Sequence, residues 1–235
     1  MSLKILAVVP ARGGSKSVPR KNVADIAGKP LLAYTVEEAL KVSTILDLVV
    51  STDDQEIAEL ARSLGAQVPF MRPAELATDH AQSAPVLRHC LLEMEALRGL
   101  RYDAVMMLQP TTPLRQASHI EAAIDMLAAH DCDSVVSVVS VGGYHPFRMK
   151  RLVGNRLINF VDQGFEDMRP RQVLPSVLIR NGAVYLSRRH VIADYEQVVG
   201  SECLGFEMSL EDSINIDDRL DFKLAELLLQ ERAAK

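Results

Sequence analysis

Short, almost uninterrupted apolar runs alternate along this chain with stretches whose apolar residues recur at helical spacing. Residues 4–9 (KILAVV), 47–52 (DLVVST), 102–108 (YDAVMML), 133–139 (DSVVSVV) and 182–187 (GAVYLS) have strand length and are apolar through most of it, the pattern of strands buried on both faces. Between them, residues 30–42 carry Leu31, Leu32, Tyr34, Thr35, Val36, Ala39 and Leu40 at helical spacing, and residues 53–64 put Ile57, Leu60, Ala61 and Leu64 on one face. Residues 119–130 read as another helix. A closing helix is predicted over 217–232, with Leu220, Leu224, Leu227, Leu228 and Glu231 in phase and Asp217 and Asp218 at its positive N-terminal end. This alternation predicts an α/β fold, a mostly parallel Rossmann-like sheet with helices on both faces. The rhythm breaks at Gly142 and Gly143, and residues 142–182 are rich in Arg, Pro and Gly without a period. The expected organisation is one α/β domain, 1–141 and 183–235, with an inserted segment at 142–182.

Composition narrows the function. The 235 residues are 48% hydrophobic, enough for a large core, and no apolar run reaches the ~18–20 residues of a membrane span. No signal-peptide pattern opens the chain, so a soluble, cytoplasmic protein is expected. A net charge of −5 and the absence of Trp argue against a general nucleic-acid binder. Cys90, Cys132 and Cys203 form no CxxC and are expected to be reduced and buried. The six histidines show no metal-binding spacing.

The charge is unevenly spread. Residues 1–29 hold Lys4, Arg12, Lys16, Arg20, Lys21 and Lys29 against Asp25, a local +5, leaving −10 on the remainder. Four of those cations stand in ARGGSKSVPRKN (11–22), directly after the first predicted strand. Adjacent glycines there can turn backbone N–H groups toward an anion, and the cations add charge-assisted hydrogen bonds. The loop after a strand's carboxyl end is also where open α/β sheets bind ligands. Neither G-x4-G-K-[ST] nor GxGxxG is present, so this is neither a P-loop nor a dinucleotide fingerprint.

ARGGSKSVPRKN (11–22), AGKPLLAYT (27–35), STDDQEIAELA (51–61), RPAEL (72–76), LQPTTPLR (108–115), PRQVLP (170–175), NGAVYL (181–186) and DSINIDDRLDF (212–222) occur in the order found in the sugar-acid cytidylyltransferases. The chain resembles that family over nearly its whole length, and its CMP-N-acetylneuraminate synthetase (acylneuraminate cytidylyltransferase) branch most closely. The branch that activates 3-deoxy-manno-octulosonate differs in the first loop. The resemblance implies a nucleotide-diphospho-sugar transferase fold and a reaction in which CTP and a nine-carbon sugar acid give the CMP-sugar and pyrophosphate.

The resemblance also implies residue roles. Ala11, Arg12, Gly13, Gly14, Ser15, Lys16, Lys21, Asn22, Arg72, Asp79 and Ser83 would bind the nucleotide, with Arg12, Lys21 and Asp217 catalytic. Gln109, Thr111, Thr112, Arg148, Arg171 and Tyr185 would lie on the sugar side, with Arg115 a support or sugar-side residue. Residues 142–182 would be a dimerisation arm completing the partner's site, giving a homodimer. SINID (213–217) alternates as a short strand would, with Asn215 and Asp217 on one face. Asp217 is the expected ligand of Mg²⁺ (or Mn²⁺), with Asn215 a weaker or water-mediated one, because Asn stands where the family has a first Asp. Residues 194–206 lack the family's Phe-Phe pair, which leaves the C5 substituent open among N-acetylneuraminate, legionaminate, pseudaminate and the deaminated sugar.

Overall fold

The structure is a computed structural model that describes residues 3–14 and 18–234. Strands β1 (Ile5–Pro10), β2 (Asp25–Ile26) and β3 (Lys29–Pro30) precede helix α1 (Leu31–Leu40). Then come β4 (Ile45–Ser51), α2 (Gln55–Ser63), α3 (Ser83–Arg98), β5 (Ala104–Met107), α4 (Ala117–Ala129) and β6 (Ser134–Ser140). The hairpin β7 (Lys150–Val153) and β8 (Arg156–Asn159) leads to β9 (Leu178–Arg188), α5 (Arg189–Ala193), β10 (Cys203–Glu207) and α6 (Arg219–Ala233).

Six strands form one sheet in the order β10-β6-β9-β5-β1-β4. Its β1–β4, β1–β5 and β10–β6 pairs are parallel, and β9 runs antiparallel to both β5 and β6. The expected mostly parallel sheet with helices on both faces is what forms. Strand alternation explains the two layers. Ile5, Ala7 and Val9 point to Leu32, Val36, Ile57, Ile120 and Leu127 of α1, α2 and α4. Leu6 and Val8 point the other way, to Leu87, Leu91, Met94 and Ile192 of α3 and α5.

Several elements depart from the sequence reading. Helix α3 was not anticipated, although Val86, Leu87, Cys90, Leu91 and Met94 recur at helical spacing and are all buried. Residues 213–217 do not form a strand. Ile216 spends its N–H on the Thr111 carbonyl (2.8 Å) and its carbonyl on Lys21 Nζ (2.6 Å), so it has nothing left for a ladder. In α6 the buried residues are Ala225 and Leu229, while Leu220, Leu224 and Leu227 face solvent. Its N-cap is Asp218, whose side chain accepts from Leu220 and Asp221 N–H. Cys203 is exposed rather than buried, and the three cysteines are free.

The segment 142–182 carries the β7–β8 hairpin as a separate two-stranded sheet. Its far end is already part of β9, whose pairs with β6 run from Leu178 to Ser187.

Candidate active site

Because β1, β4 and β5 are parallel, their carboxyl ends open at one edge of the sheet. Three loops leave from that edge: residues 11–14 after β1, 52–54 after β4 and 108–116 after β5. Antiparallel β9 brings Asn181 and Gly182 to the same edge, since its Tyr185 pairs with Met107 at the end of β5.

The β1 loop is fixed by carboxylates. Gly13 donates its N–H to Asp53 Oδ1 (3.0 Å), and a Cβ on Gly13 would lie 2.6 Å from Asp54 Oδ2, so only glycine fits. Asp54 caps α2 through Ile57 N–H (3.1 Å) and accepts from Arg20 Nη1 (2.6 Å). Arg20, itself left-handed at φ 53°, also bonds Glu56 and holds the Asp54 carboxyl below its ordinary range. Asp53, Asp54 and Glu56 had no assigned role. Their signal was the polar STDDQE run after β4, which anchors the basic loop as well as starting a helix.

Arg12 Nη1 pairs with Asp79 Oδ1 at 2.7 Å, both about one-third exposed. Asn22 Nδ2 donates to the Arg12 carbonyl (3.0 Å), bracing the loop from inside. Lys21 reaches across the sheet edge to the Ile216 carbonyl, 195 positions away, next to Asp217. Burial pushes its ammonium pKa down, Asp217 and Asp221 pull it back, and Arg12 pushes it down further. The basic loop and the SINIDD motif, at opposite ends of the chain, thus form one site. Ala11 is buried beneath the loop, Gly14 is exposed on it, and Ser83 begins α3, half-buried. Ser15 and Lys16 lie outside the described residues.

Three of the expected site residues, Arg72, Arg115 and Thr112, make supporting hydrogen bonds within the protein. Arg72 is buried and donates to Ser51 Oγ (3.0 Å), the Ser51 carbonyl (2.5 Å) and the Leu76 carbonyl (3.5 Å), so it braces the end of β4. Arg115 is fully enclosed and donates to the Gln109 and Ala183 carbonyls and to Thr112 Oγ1 and Thr35 Oγ1. Thr112 is equally buried, its hydroxyl on the Gln109 carbonyl (3.0 Å). Charge and hydroxyl are legible in a sequence, but their burial is not.

Gln109 and Thr111 remain half-exposed at the edge. Tyr185 is half-buried against the α3–α5 layer, and burial raises its phenol pKa. Arg148, which donates to the Arg169 carbonyl (2.7 Å), and Arg171 are both exposed on the 142–182 segment, with no hydrogen bond to this cluster. Burial pushes the Cys90 thiol up to about 11, so it stays protonated at neutral pH and is no nucleophile.

The donor set suits a magnesium-type ion held largely by phosphate. Among the described residues no three His, Cys, Asp or Glu side chains form a cage. Asp217 is an exposed carboxylate beside the Lys21 cation, and Mg²⁺ commonly takes only one or two carboxylates plus substrate phosphates. No helix among the described residues is long and apolar enough to cross a membrane.

Comparison with known proteins agrees with this geometry. The fold is that of the solved CMP:2-keto-3-deoxy-manno-octonic acid synthetase complexed with CTP, with TM-score 0.71 and 20% identity, covering 97% of this chain and 99% of that one. The N-acylneuraminate cytidylyltransferase of Escherichia coli O18:K1:H7 is 33% identical over 99% of this chain, which spans only 54% of that protein's length. The CMP-N,N'-diacetyllegionaminic acid synthase of Legionella pneumophila is 32% identical over 97% of both chains. The family model described as cytidylyltransferase matches residues 6–200, and the chain belongs to that family.

Proposed function

We propose that this cytidylyltransferase joins a nonulosonic acid, a nine-carbon α-keto sugar acid, to CMP. The observation that carries the reading is the Lys21–Ile216 contact, which sets a triphosphate-type loop directly beside the Asp217 carboxylate. The Escherichia coli and Legionella pneumophila relatives support the substrate class, because both are named for nonulosonic acids. The anomeric hydroxyl of the acid attacks the α-phosphorus of CTP. A C–O–P link forms, the α–β phosphoanhydride bond breaks, pyrophosphate leaves and the hydroxyl proton passes to water.

Within that reaction Arg12 exchanges Asp79 for a phosphate. An ion pair this exposed is worth only ~0–1 kcal/mol, so the exchange costs little. Lys21 stabilises charge that builds on the phosphates. Mg²⁺ (or Mn²⁺) bound by Asp217 and the nucleotide would add Lewis-acid polarisation of the phosphoryl oxygens. A panel of N-acetylneuraminate, a legionaminate, a pseudaminate and 3-deoxy-manno-octulosonate, assayed for pyrophosphate release with each nucleoside triphosphate, tests the reading. CTP with one or more nine-carbon acids should be productive. CTP binding without turnover of any acid would identify a non-catalytic homologue instead.

The 142–182 segment is proposed as an arm that pairs two copies of the chain. Tyr144 (83%), Leu152 (69%), Leu157 (71%) and Met168 (82%) are exposed there, large apolar side chains on one segment. Pairing through it would offer Arg148 and Arg171 to the partner's sugar carboxylate. Sedimentation velocity at micromolar concentration should show a dimer, and a monomer would remove the arm from the account.

A further inference from the structure

Asn215 stands at a place where its two amide ends meet different surroundings. Its Nδ2 donates to Asp217 Oδ2 at 2.8 Å, while its Oδ1 is buried with no hydrogen-bond partner. Turning the amide over would set its oxygen against a carboxylate with no proton between them, so Asp217 fixes which end faces where. The oxygen therefore faces Gly182, a residue at φ +83°. A Cβ there would lie 2.5 Å from Gln109 Oε1, 3.5 Å from Thr112 Cγ2 and 3.6 Å from Asn215 Oδ1. The missing side chain lets the two carboxamides close in on one backbone position. Among the described residues, His89 Nδ1 and Arg115 Nε are also buried without a partner, and Arg115 Nε is a donor. Neighbouring Asn181, by contrast, accepts from Ser137 Oγ and Ala183 N–H and donates to Ser213 Oγ. Native proteins satisfy nearly all their buried acceptors, so an unpaired carboxamide oxygen at the edge of a site awaits a donor.

We propose that Asn215 is a specificity-determining residue of the sugar subsite: its carbonyl oxygen accepts a hydrogen bond from a hydroxyl of the bound acid, admitted as the half-exposed Gln109 side chain swings aside. The inference rests on the sugar-acid reading above. It replaces the expectation of Asn215 as a weak metal ligand. In the free protein the amide end turned toward Asp217 is a donor, and a cation takes only acceptors. The neutral amide keeps a second negative charge away from Asp217 and orients that carboxylate.

Calorimetric titration of the four acids into the protein with CTP and EDTA present tests this without turnover and without metal. In wild type, whichever acids are substrates should bind. Asn215→Ala should weaken that binding about tenfold or more, the scale of a lost buried hydrogen bond. Asn215→Asp, which keeps an acceptor oxygen but sets a second carboxylate beside Asp217, should recover only part of it, and matched melting temperatures will show that both variants are folded. Unchanged acid binding in Asn215→Ala overturns the proposal, since a residue acting only through a metal has no effect in EDTA. Failure of wild type to bind any of the acids, both in EDTA and when the titration is repeated with Mg²⁺, overturns the sugar-acid reading itself, and the wild-type arm alone tells the two failures apart.

Discussion

Lys21→Ala lowers kcat/KM for CTP by about 10²–10³-fold, the loss typical when one preorganised stabiliser of transition-state charge is removed. The melting temperature should stay close to wild type, because the side chain is only half-buried and makes one hydrogen bond, to the Ile216 carbonyl. The same residue sets an alkaline limb. Only the ammonium form stabilises phosphate charge, and it exists below its pKa. Desolvation moves that pKa below the ordinary lysine value of ~10.4. Activity should therefore fall with rising pH earlier than a solvent-exposed lysine would dictate. Asp217 and Asp221, which favour the charged form, limit how early. Near-wild-type kcat/KM in the alanine variant, measured by pyrophosphate release, would remove Lys21 from the phosphate site.

That contact also shows where sequence reading succeeds and where it stops. The β1 run could be recognised because a strand covered on both faces must be apolar at both parities, and Ile5 through Val9 are fully buried. The basic loop could be recognised because six cations crowd into 29 residues. Its anchoring could not, since Asp53, Asp54 and Glu56 meet it only after β4 pairs beside β1. The SINID alternation correctly put Asn215 and Asp217 on one side, and their side chains do bond. It failed as a strand because Thr111 and Lys21, both remote in sequence, take the backbone groups of Ile216. The exposed leucines of α6 mislead in the opposite sense, because helical spacing identifies a stripe without saying which side is covered.

Arg115, expected as a support or sugar-side residue, carries the largest expected loss of stability. Its guanidinium spans three elements: Thr35 of α1 (2.5 Å), the Gln109 carbonyl (3.1 Å) and Thr112 hydroxyl (2.9 Å) of the β5 loop, and the Ala183 carbonyl of β9 (2.9 Å). Burial, against a weaker pull from Glu38, pushes its pKa down to about 9, so it remains charged at neutral pH. Arg115→Ala would strip those acceptors of a donor and leave a void behind them. Each buried acceptor left unpaired costs ~1–3 kcal/mol, and such costs do not add fully, so a net loss of about 3–4 kcal/mol is expected. For a chain of this size that is a drop of roughly 10 °C in melting temperature. Arg115→Lys should recover only part, because one ammonium cannot reproduce a planar fork spread over three elements. Assayed well below the melting transition, the alanine variant should show a raised KM for the sugar acid with less change in KM for CTP. The loop it releases carries Gln109, whereas Arg12 and Lys21 are held by other contacts. A melting temperature within a degree or two of wild type would show that the buried fork contributes little to joining the sheet edge together.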